Sequence, residues 1–320
     1  MAYITSRNKK LSQIIFFSKI FRLVLTLHSK TFSIASNNLV GTIPEELKLL
    51  TFLQSLGFFE NLIHGTIPAL SSFKNLRRIN LALNLLTGSI PEFDNNLNLR
   101  VILITNNGLT GTIPESIRKL SDINTLQLDK NKLNGSLPNW IGELKLLKYL
   151  SMSNNNFHQS KIPLSINNLH NLEYLDLSRT QLTGYIPITN NAFPKLEYFM
   201  LHDNFLSGTF PNNITTSTSI KEIILDRNLL TGQLSTQISM MSNCEVFSVK
   251  GNDFSGSVSP LLALKNLNHL SIGSNKFSGT IPLEIGNLKE LRTIGLDFNY
   301  FTGAIPTTFS KLSHLGMWRR

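Results

Sequence analysis

One eight-residue phrase recurs along almost the whole chain at a nearly constant spacing. It reads NNLVGTIP from Asn37, NLLTGSIP from Asn84, NFLSGTFP from Asn204 and NKFSGTIP from Asn275. Twelve copies, including looser ones, begin 23 to 25 residues apart. A fixed period in this range is typical of a solenoid, in which each repeat buries its apolar face against its neighbours. The spacing therefore predicts stacked repeats.

The order of apolar residues within each repeat predicts its local structure. The repeat can be written LxxLxLxxNxLxGxIPxxLxxL. Around Asn84, Ile79 and Leu81 alternate with residues of the opposite face, as in a short strand with one buried side. Gly88 and Pro91 then break the chain direction. Apolar residues about three apart follow, which favours a 3₁₀-like or extended return path.

A polar column accompanies this apolar frame. Asn begins eleven of the twelve copies, and Thr180 begins the other. A buried amide is stable only when its donors and acceptor are matched. The column therefore predicts a ladder of hydrogen bonds to the backbone of its own turn and the neighbouring turn, and we interpret these Asn residues as structural. Thr180 has no amide group, which predicts a locally weaker turn.

On these residues the chain resembles the plant-type leucine-rich repeat, whose mark is LxGxIP after the Asn. The resemblance covers roughly residues 27–312, between a basic and apolar segment at 1–26 and a short tail at 313–320. It implies an α/β-class, right-handed solenoid with one long parallel sheet on its concave face and short 3₁₀ or irregular segments on the convex side. It also implies a second, short sheet formed by the LxGxIP segments. In plants such arrays form ectodomains of receptor-like kinases and receptor-like proteins, and inhibitors of cell-wall polygalacturonases.

The basic charge lies mainly at the two ends. The formal net charge is +10, but six basic residues lie within residues 1–30 and three within 311–320. The remaining 21 basic residues face 20 acidic ones over the repeats. The repeats are thus almost neutral and carry no evident basic stripe, so we expect no nucleic-acid partner.

The ends of the chain lack the features of a complete secreted repeat protein. Residues 1–26 have three competing interpretations, namely a poor secretion signal or signal-anchor, an amphipathic segment, or an eroded repeat. No transmembrane run, kinase or capping element follows the last repeat, so we expect a fragment, a truncated receptor-like product or part of a larger assembly. Cys244 is the single cysteine and replaces the first Leu of a repeat, which predicts a buried apolar role. The paired capping cysteines usual in secreted family members are absent from the sequence.

Three repeats depart from the phrase. One reads NNFHQSKIP, with the Gly lost and one residue added. We expect His158, Gln159 and Lys161 to bulge from the edge of the solenoid. In two other repeats Ser235 and Ser259 replace Pro, and we expect the turn to form with less rigidity.

No catalytic or cofactor motif accompanies the repeats. The seven His residues are scattered without metal-ligand spacing, and neither a phosphate-binding Gly loop nor a nucleophile elbow is present. We predict a non-enzyme without a cofactor or metal. The sequons at Asn134 and Asn213 lie in turn segments and are candidate glycosylation sites if the chain is secreted.

The outward positions of the predicted sheet form columns, because equivalent residues of neighbouring repeats lie one strand apart. At the centre of the array, the columns six, two and one residues before the Asn column hold, in turn, Tyr149, Tyr174, Tyr198 and Glu222; Ser153, Ser178, His202 and Asp226; and Asn154, Arg179, Asp203 and Arg227. Aromatic and Arg residues are typical anchors of recognition, although Tyr also simply suits a strand. We predict that the aromatic and charged members of these columns contact a protein or peptide.

Three functions remain open on the sequence alone. The first is a receptor-like recognition module, outside the cell or at its membrane, that binds a protein or peptide and signals with a partner such as a co-receptor kinase. The second is an inhibitor of a secreted enzyme, similar to the polygalacturonase inhibitors. The third is a cytoplasmic repeat scaffold, which a single reduced cysteine would permit.

Overall fold

A computed structural model describes residues 30–319, which fall into two compact units divided between Gly135 and Ser136. Each unit is described by itself. The N-terminal segment at residues 1–26 lies outside the described residues. The expectation of one repeat domain over residues 27–312 stays a prediction.

The first unit consists of short strands and two 3₁₀ helices in its described part. They are β1 (Thr31–Ser33), β2 (Val40–Thr42), η1 (Glu45–Leu49), β3 (Ser55–Gly57), β4 (Leu62–Thr66), β5 (Arg78–Asn80), β6 (Leu85–Ser89), β7 (Val101–Leu103), β8 (Gly108–Thr110), η2 (Glu115–Lys119) and β9 (Thr125–Gln127). The strands preceding the Asn column pair in parallel in the order β1-β3-β5-β7-β9, which we name the main sheet of this unit. The strands of the LxGxIP segments pair as β2-β4-β6-β8, the second sheet.

The second unit repeats this arrangement. Its elements are β10 (Tyr149–Ser151), β11 (Tyr174–Asp176), β12 (Thr183–Tyr185), β13 (Tyr198–Met200), β14 (Phe205–Thr209), β15 (Glu222–Ile224), β16 (Leu229–Gln233), β17 (Val246–Ser248), β18 (Asp253–Gly256), β19 (His269–Ser271), β20 (Lys276–Thr280), β21 (Thr293–Gly295), β22 (Tyr300–Thr302) and β23 (Met317–Arg319), with 3₁₀ helices η3 (Asn139–Glu143), η4 (Leu164–Asn168), η5 (Asn212–Thr216), η6 (Thr236–Met240), η7 (Ser259–Ala263), η8 (Leu283–Asn287) and η9 (Thr307–Lys311). The main sheet of this unit has the order β10-β11-β13-β15-β17-β19-β21-β23, and its second sheet β12-β14-β16-β18-β20-β22.

Both units bury the apolar positions of the repeat between their two sheets and the return segments. Ile79 and Leu81 in the first unit and Leu177 in the second are buried, as the alternation predicted. The parallel main sheets, the second sheets and the 3₁₀ segments confirm the solenoid class of fold. Because each strand is only three to five residues long, stability comes from stacking like residues of successive repeats rather than from any single strand.

The Asn column forms the predicted ladder. In the first unit, Asn84 Nδ2 lies 2.8 to 3.2 Å from three backbone carbonyls, those of Phe58, Leu81 and Ala82. Its Oδ1 accepts the N–H of Ile63 at 3.1 Å. One carbonyl and the donating N–H belong to the preceding repeat, so each amide joins two turns. The structural interpretation of the column is confirmed.

Thr180 replaces this amide with a single hydroxyl. Its Oγ1 lies 2.6 Å from the carbonyl of Leu177 and 3.0 Å from Oδ1 of Asn204. One hydroxyl proton can be donated to only one of these acceptors. Thr180 is fully buried, so the donors that the amide would supply are not replaced by water. That the turn is weaker here stays a prediction.

We expect Thr180→Asn to stabilise the second unit by about 1 kcal/mol, because it restores amide hydrogen bonds at nearly constant side-chain volume. The melting temperature, followed by circular dichroism, should rise by about 3 °C. Thr180→Val, which removes the hydroxyl and keeps the shape, is the matched control and should lower it. A melting temperature that falls in both variants would contradict the ladder explanation for this position.

The departures from the phrase lie where the sequence placed them. His158 and Gln159 have φ values of +28° and +50° and are exposed, as is Lys161, which confirms a local bulge. Ser235 accepts a hydrogen bond from the N–H of Gln237 and so begins η6 without Pro. Cys244 is buried, and burial raises the pKa of its thiol to about 12, which keeps it protonated.

Candidate binding surface

Three Tyr residues form a continuous aromatic ladder on the main sheet of the second unit. Tyr149, Tyr174 and Tyr198 begin β10, β11 and β13, and the parallel register pairs each with the next. Their ring centroids are 6.2 Å and 5.8 Å apart along the ladder, within the range of favourable aromatic pairs. The register continues from Tyr198 to Glu222 on β15. The structure thus brings the predicted first column together.

Ion pairs line the edge of this ladder. Lys148 contacts Glu173 at 2.7 Å, and Lys221 contacts Glu197 at the same distance. Lys221 Nζ also lies 6.0 Å from the centre of the Tyr198 ring, the outer limit of a cation–π contact. The sequence analysis did not single out these residues. Their position directly before each Tyr or Glu of the first column was the available signal.

A further column lies in the middle of the same strands. Asp176, Met200 and Ile224 occupy equivalent positions on β11, β13 and β15, and all three are half-buried. Met200 and Ile224 therefore present an apolar floor beside the ladder. The sequence analysis missed this column, although the alternation of the strand places it on the same face as the Tyr residues.

Arg179, Asp203 and Arg227 meet at the turns that follow the strands. Asp203 accepts a hydrogen bond from Arg179 Nε at 3.0 Å and contacts Arg227 through both carboxylate oxygens. All three residues have left-handed φ, between +51° and +57°, which places them at equivalent points of successive turns. The hydrogen bonds of Arg227 and then Arg179 lower the pKa of Asp203 to about 2, against an opposing effect of burial.

Asp203 should contribute to stability only above acidic pH. Its folded pKa lies below the ordinary value of 3.8, so its contribution is present above pH 4 and is lost as the pH falls toward 2. Because both Arg side chains are more than half exposed, we expect only about 1 kcal/mol. Asp203→Asn, which tolerates a left-handed φ, should remove this contribution at pH 6 and change little near pH 2.5.

Urea unfolding of both proteins across this pH range measures the contribution of Asp203. Asp253→Asn is the control, because it removes only an exposed ion pair with Lys276 and should cost less than about 0.5 kcal/mol at any pH. A stability difference for Asp203→Asn that persists at pH 2.5 would contradict the role of its charge.

His202 and Asp226 lie side by side below this cluster. Asp226 Oδ1 accepts hydrogen bonds from Ser248 Oγ at 2.6 Å and from the N–H of Lys250 at 2.8 Å. Burial nevertheless raises the pKa of Asp226 above its ordinary value. Burial, together with the charge of Glu245, also raises the pKa of Glu222. His202 Nδ1 is buried and has no hydrogen-bond partner among the described residues.

The two candidate glycosylation residues lie elsewhere. Asn134 is half-buried at the end of the first unit, and Asn213 is exposed in η5. The amide of Asn213 donates to the carbonyl of Ile188 at 2.9 Å, and its sequon residue Thr215 is buried. Glycosylation at either residue stays a prediction.

Two other features bear on the kind of site. Over residues 30–319, no group of three or more His, Cys, Asp and Glu side chains could hold a metal ion. In the same range, no helix combines the length and the apolar character needed to cross a bilayer.

Comparison with known proteins agrees with the repeat geometry. The family model described as a leucine-rich repeat region matches residues 52–181, and a second leucine-rich repeat model matches residues 266–288. Receptor-like protein 32 of Arabidopsis thaliana is 30% identical over 186 residues, which are 58% of this chain and 18% of that protein. Phytosulfokine receptor 1 of the same plant is 46% identical over 61 residues, 19% of this chain and 6% of the receptor. The chain therefore spans only a small part of these relatives.

Solved structures place the same fold in plant receptors. The plant peptide hormone receptor RGFR1, in complex with RGF2, superposes with a TM-score of 0.82 at 31% identity, over 89% of this chain and 46% of the receptor chain. The ectodomain of the Arabidopsis thaliana receptor kinase GASSHO1/SCHENGEN3, in complex with CASPARIAN STRIP INTEGRITY FACTOR 2, gives 0.76 at 26% identity, over 90% and 41%. The repeat phrase, the stacked parallel strands and these similarities identify the chain as a plant-type leucine-rich-repeat protein with an ectodomain-like fold.

Proposed function

We propose that the chain is a non-catalytic, receptor-like recognition module that binds a peptide on the exposed face of the main sheet of its second unit. The observation that carries this proposal is the ladder of Tyr149, Tyr174 and Tyr198, whose rings stack in register over three strands. Stacked Tyr side chains lose little conformational entropy on binding and offer both apolar area and hydroxyl groups.

The surroundings of the ladder support a peptide rather than a small molecule as the ligand. The face extends over successive strands about 4.8 Å apart, so an extended peptide lying across them meets one repeat every one to two residues. Ion pairs at one edge and the Arg179–Asp203–Arg227 cluster at the other give it a polar border. The receptors similar to this chain are printed as complexes with peptide ligands. We therefore place the module outside the cell or at its membrane, acting in signalling with a protein partner.

A peptide selection tests this proposal. Twelve-residue peptides displayed on phage are selected on the immobilised chain, and the enriched peptides are synthesised and measured by calorimetry. Replacing Tyr149, Tyr174 and Tyr198 together with Ala should weaken binding about 100-fold, at about 1 kcal/mol for each ring.

The second sheet of the same unit supplies a matched control. Tyr185 and Tyr300 are each 65% exposed, and Phe205 is exposed on the same sheet, so their joint replacement by Ala removes similar aromatic area from another surface. We expect peptide affinity to change less than about twofold in this control. Equal affinities for the wild-type chain and the ladder variant would refute the proposed site.

A further inference from the structure

The unpaired charge on the proposed peptide-binding face is negative. From β10 to the turn after β17, its Lys and Arg side chains are paired with carboxylates: Lys148 with Glu173, Lys221 with Glu197, both Arg residues with Asp203, and Lys250 with Asp297. Among the described residues, no cation lies within 4.0 Å of Asp176, Glu222 or Asp226. This contrasts with the chain as a whole, whose net charge is +10.

These three carboxylates differ in how far the protein itself satisfies them. Asp176 Oδ1 accepts the N–H and the hydroxyl of Ser178, at 2.9 and 2.6 Å. Asp226 Oδ1 is held by Ser248 and the N–H of Lys250. Glu222 accepts no hydrogen bond from another described residue, and Glu245 on the next repeat adds a second negative charge nearby. Glu222 is thus the group with the largest unmet electrostatic requirement.

The neighbours of Glu222 suit the side chain of a basic residue. Its in-register neighbours are Tyr198 on β13 and Val246 on β17, and the next outward residue of its own strand is Ile224. Ile224 is itself in register with Met200. An aromatic ring beside a carboxylate favours a cation, and the apolar residues can contact the methylene stem that Lys and Arg carry.

We propose that the peptide bound on this face carries a Lys or Arg whose cation lies between Glu222 and the Tyr198 ring, with its stem against Ile224. This inference rests on the proposed function, because it assigns a specificity to the same face. A cation at Glu222 would also relieve the repulsion between Glu222 and Glu245, which gives the bound state an electrostatic gain that an uncharged side chain cannot supply.

The peptides selected on the wild-type chain provide the test. Lys or Arg should be enriched at one fixed position, and replacing that residue with norleucine, which keeps the stem and removes the charge, should weaken binding about tenfold. On Glu222→Gln the same peptide change should have an effect below about twofold, because the partner charge is already gone. Glu222→Gln is close in shape to the native residue and removes a carboxylate that burial disfavours, so folding should be retained.

Two controls separate the possible outcomes. Glu284→Gln removes an equal charge from the exposed start of η8 and should leave the norleucine effect at tenfold. Asp226→Asn tests whether the cation lies at the other carboxylate of the repeat, and loss of the norleucine effect in that variant alone would overturn the assignment to Glu222. Selected peptides without a conserved basic residue, whose binding still requires the Tyr ladder, would overturn the inference and leave the proposed function standing. Binding that ignores the ladder would refute the proposed function itself.

Discussion

Replacing Asn204 with Ala should lower the free energy of unfolding of the second unit by about 4 kcal/mol. Asn204 Nδ2 lies 2.9 to 3.3 Å from the carbonyls of Leu177, Leu201 and His202. Its Oδ1 accepts the N–H groups of Thr180 and Leu182 at 3.1 and 3.0 Å. Alanine leaves these buried backbone groups without partners, and a cavity too small to hold enough water replaces the amide.

Thermal and urea unfolding measure this loss, which corresponds to a fall of about 10 °C in melting temperature. Asn204→Thr should cost less than Asn204→Ala, because Thr180 shows that a hydroxyl at this position of the turn can reach the carbonyl three residues before it. Asn190→Ala, at an exposed site on the adjacent repeat, is the control and should be nearly neutral. If the Ala and Thr variants of Asn204 were equally stable, the hydrogen-bond explanation would fail.

Adding one methyl group at Gly142 should also cost about 3 kcal/mol or more. Gly142 lies in η3, and a Cβ placed there would be 2.0 Å from the carbonyl oxygen of Ser165 in η4 of the next repeat. The obstacle is backbone, which cannot rotate away as a side chain can. The two 3₁₀ segments would have to separate, and that separation would expose the buried Ile141 and Ile166 beside them.

The melting temperature of Gly142→Ala compared with Gly316→Ala tests this close approach. A Cβ at Gly316 would meet no atom within 4 Å, so that variant should change stability by less than about 0.5 kcal/mol. A Gly142→Ala protein as stable as Gly316→Ala would show that the two 3₁₀ segments tolerate a wider spacing than the structure has.

The positions of the buried residues followed from the sequence because every repeat offers them the same surroundings. Leu81 and Leu177 occupy one place in a pattern that recurs about every 24 residues, so their burial could be predicted without knowing any neighbour. The Asn ladder was predictable for a related reason, since a recurrent polar residue in an apolar frame must find its partners in the backbone. Even the bulge at His158 could be located, because one added residue breaks the period.

The candidate site was predictable only as a set of columns. The alignment of repeats correctly placed Tyr149, Tyr174 and Tyr198 beside one another, because parallel strands bring equivalent positions into register. It did not reveal that Asp203 bridges Arg179 and Arg227, since that contact depends on left-handed turns and on the rotamers of long side chains. The same applies to the pairs formed by Lys148 and Lys221.

The sequence by itself determined that this chain stacks short parallel strands, which residues face inward, and which columns face outward. The tertiary structure alone decided the second-sheet register, in which Thr209 pairs with Thr231 only 22 residues later, although the main-sheet partners Tyr198 and Glu222 lie 24 apart. It also decided which outward charges are neutralised and which are left unpaired. The physical reason is that a repeat period fixes the strand to which a residue belongs, whereas ion pairs and close backbone contacts depend on how far neighbouring repeats shift and on where each flexible side chain ends.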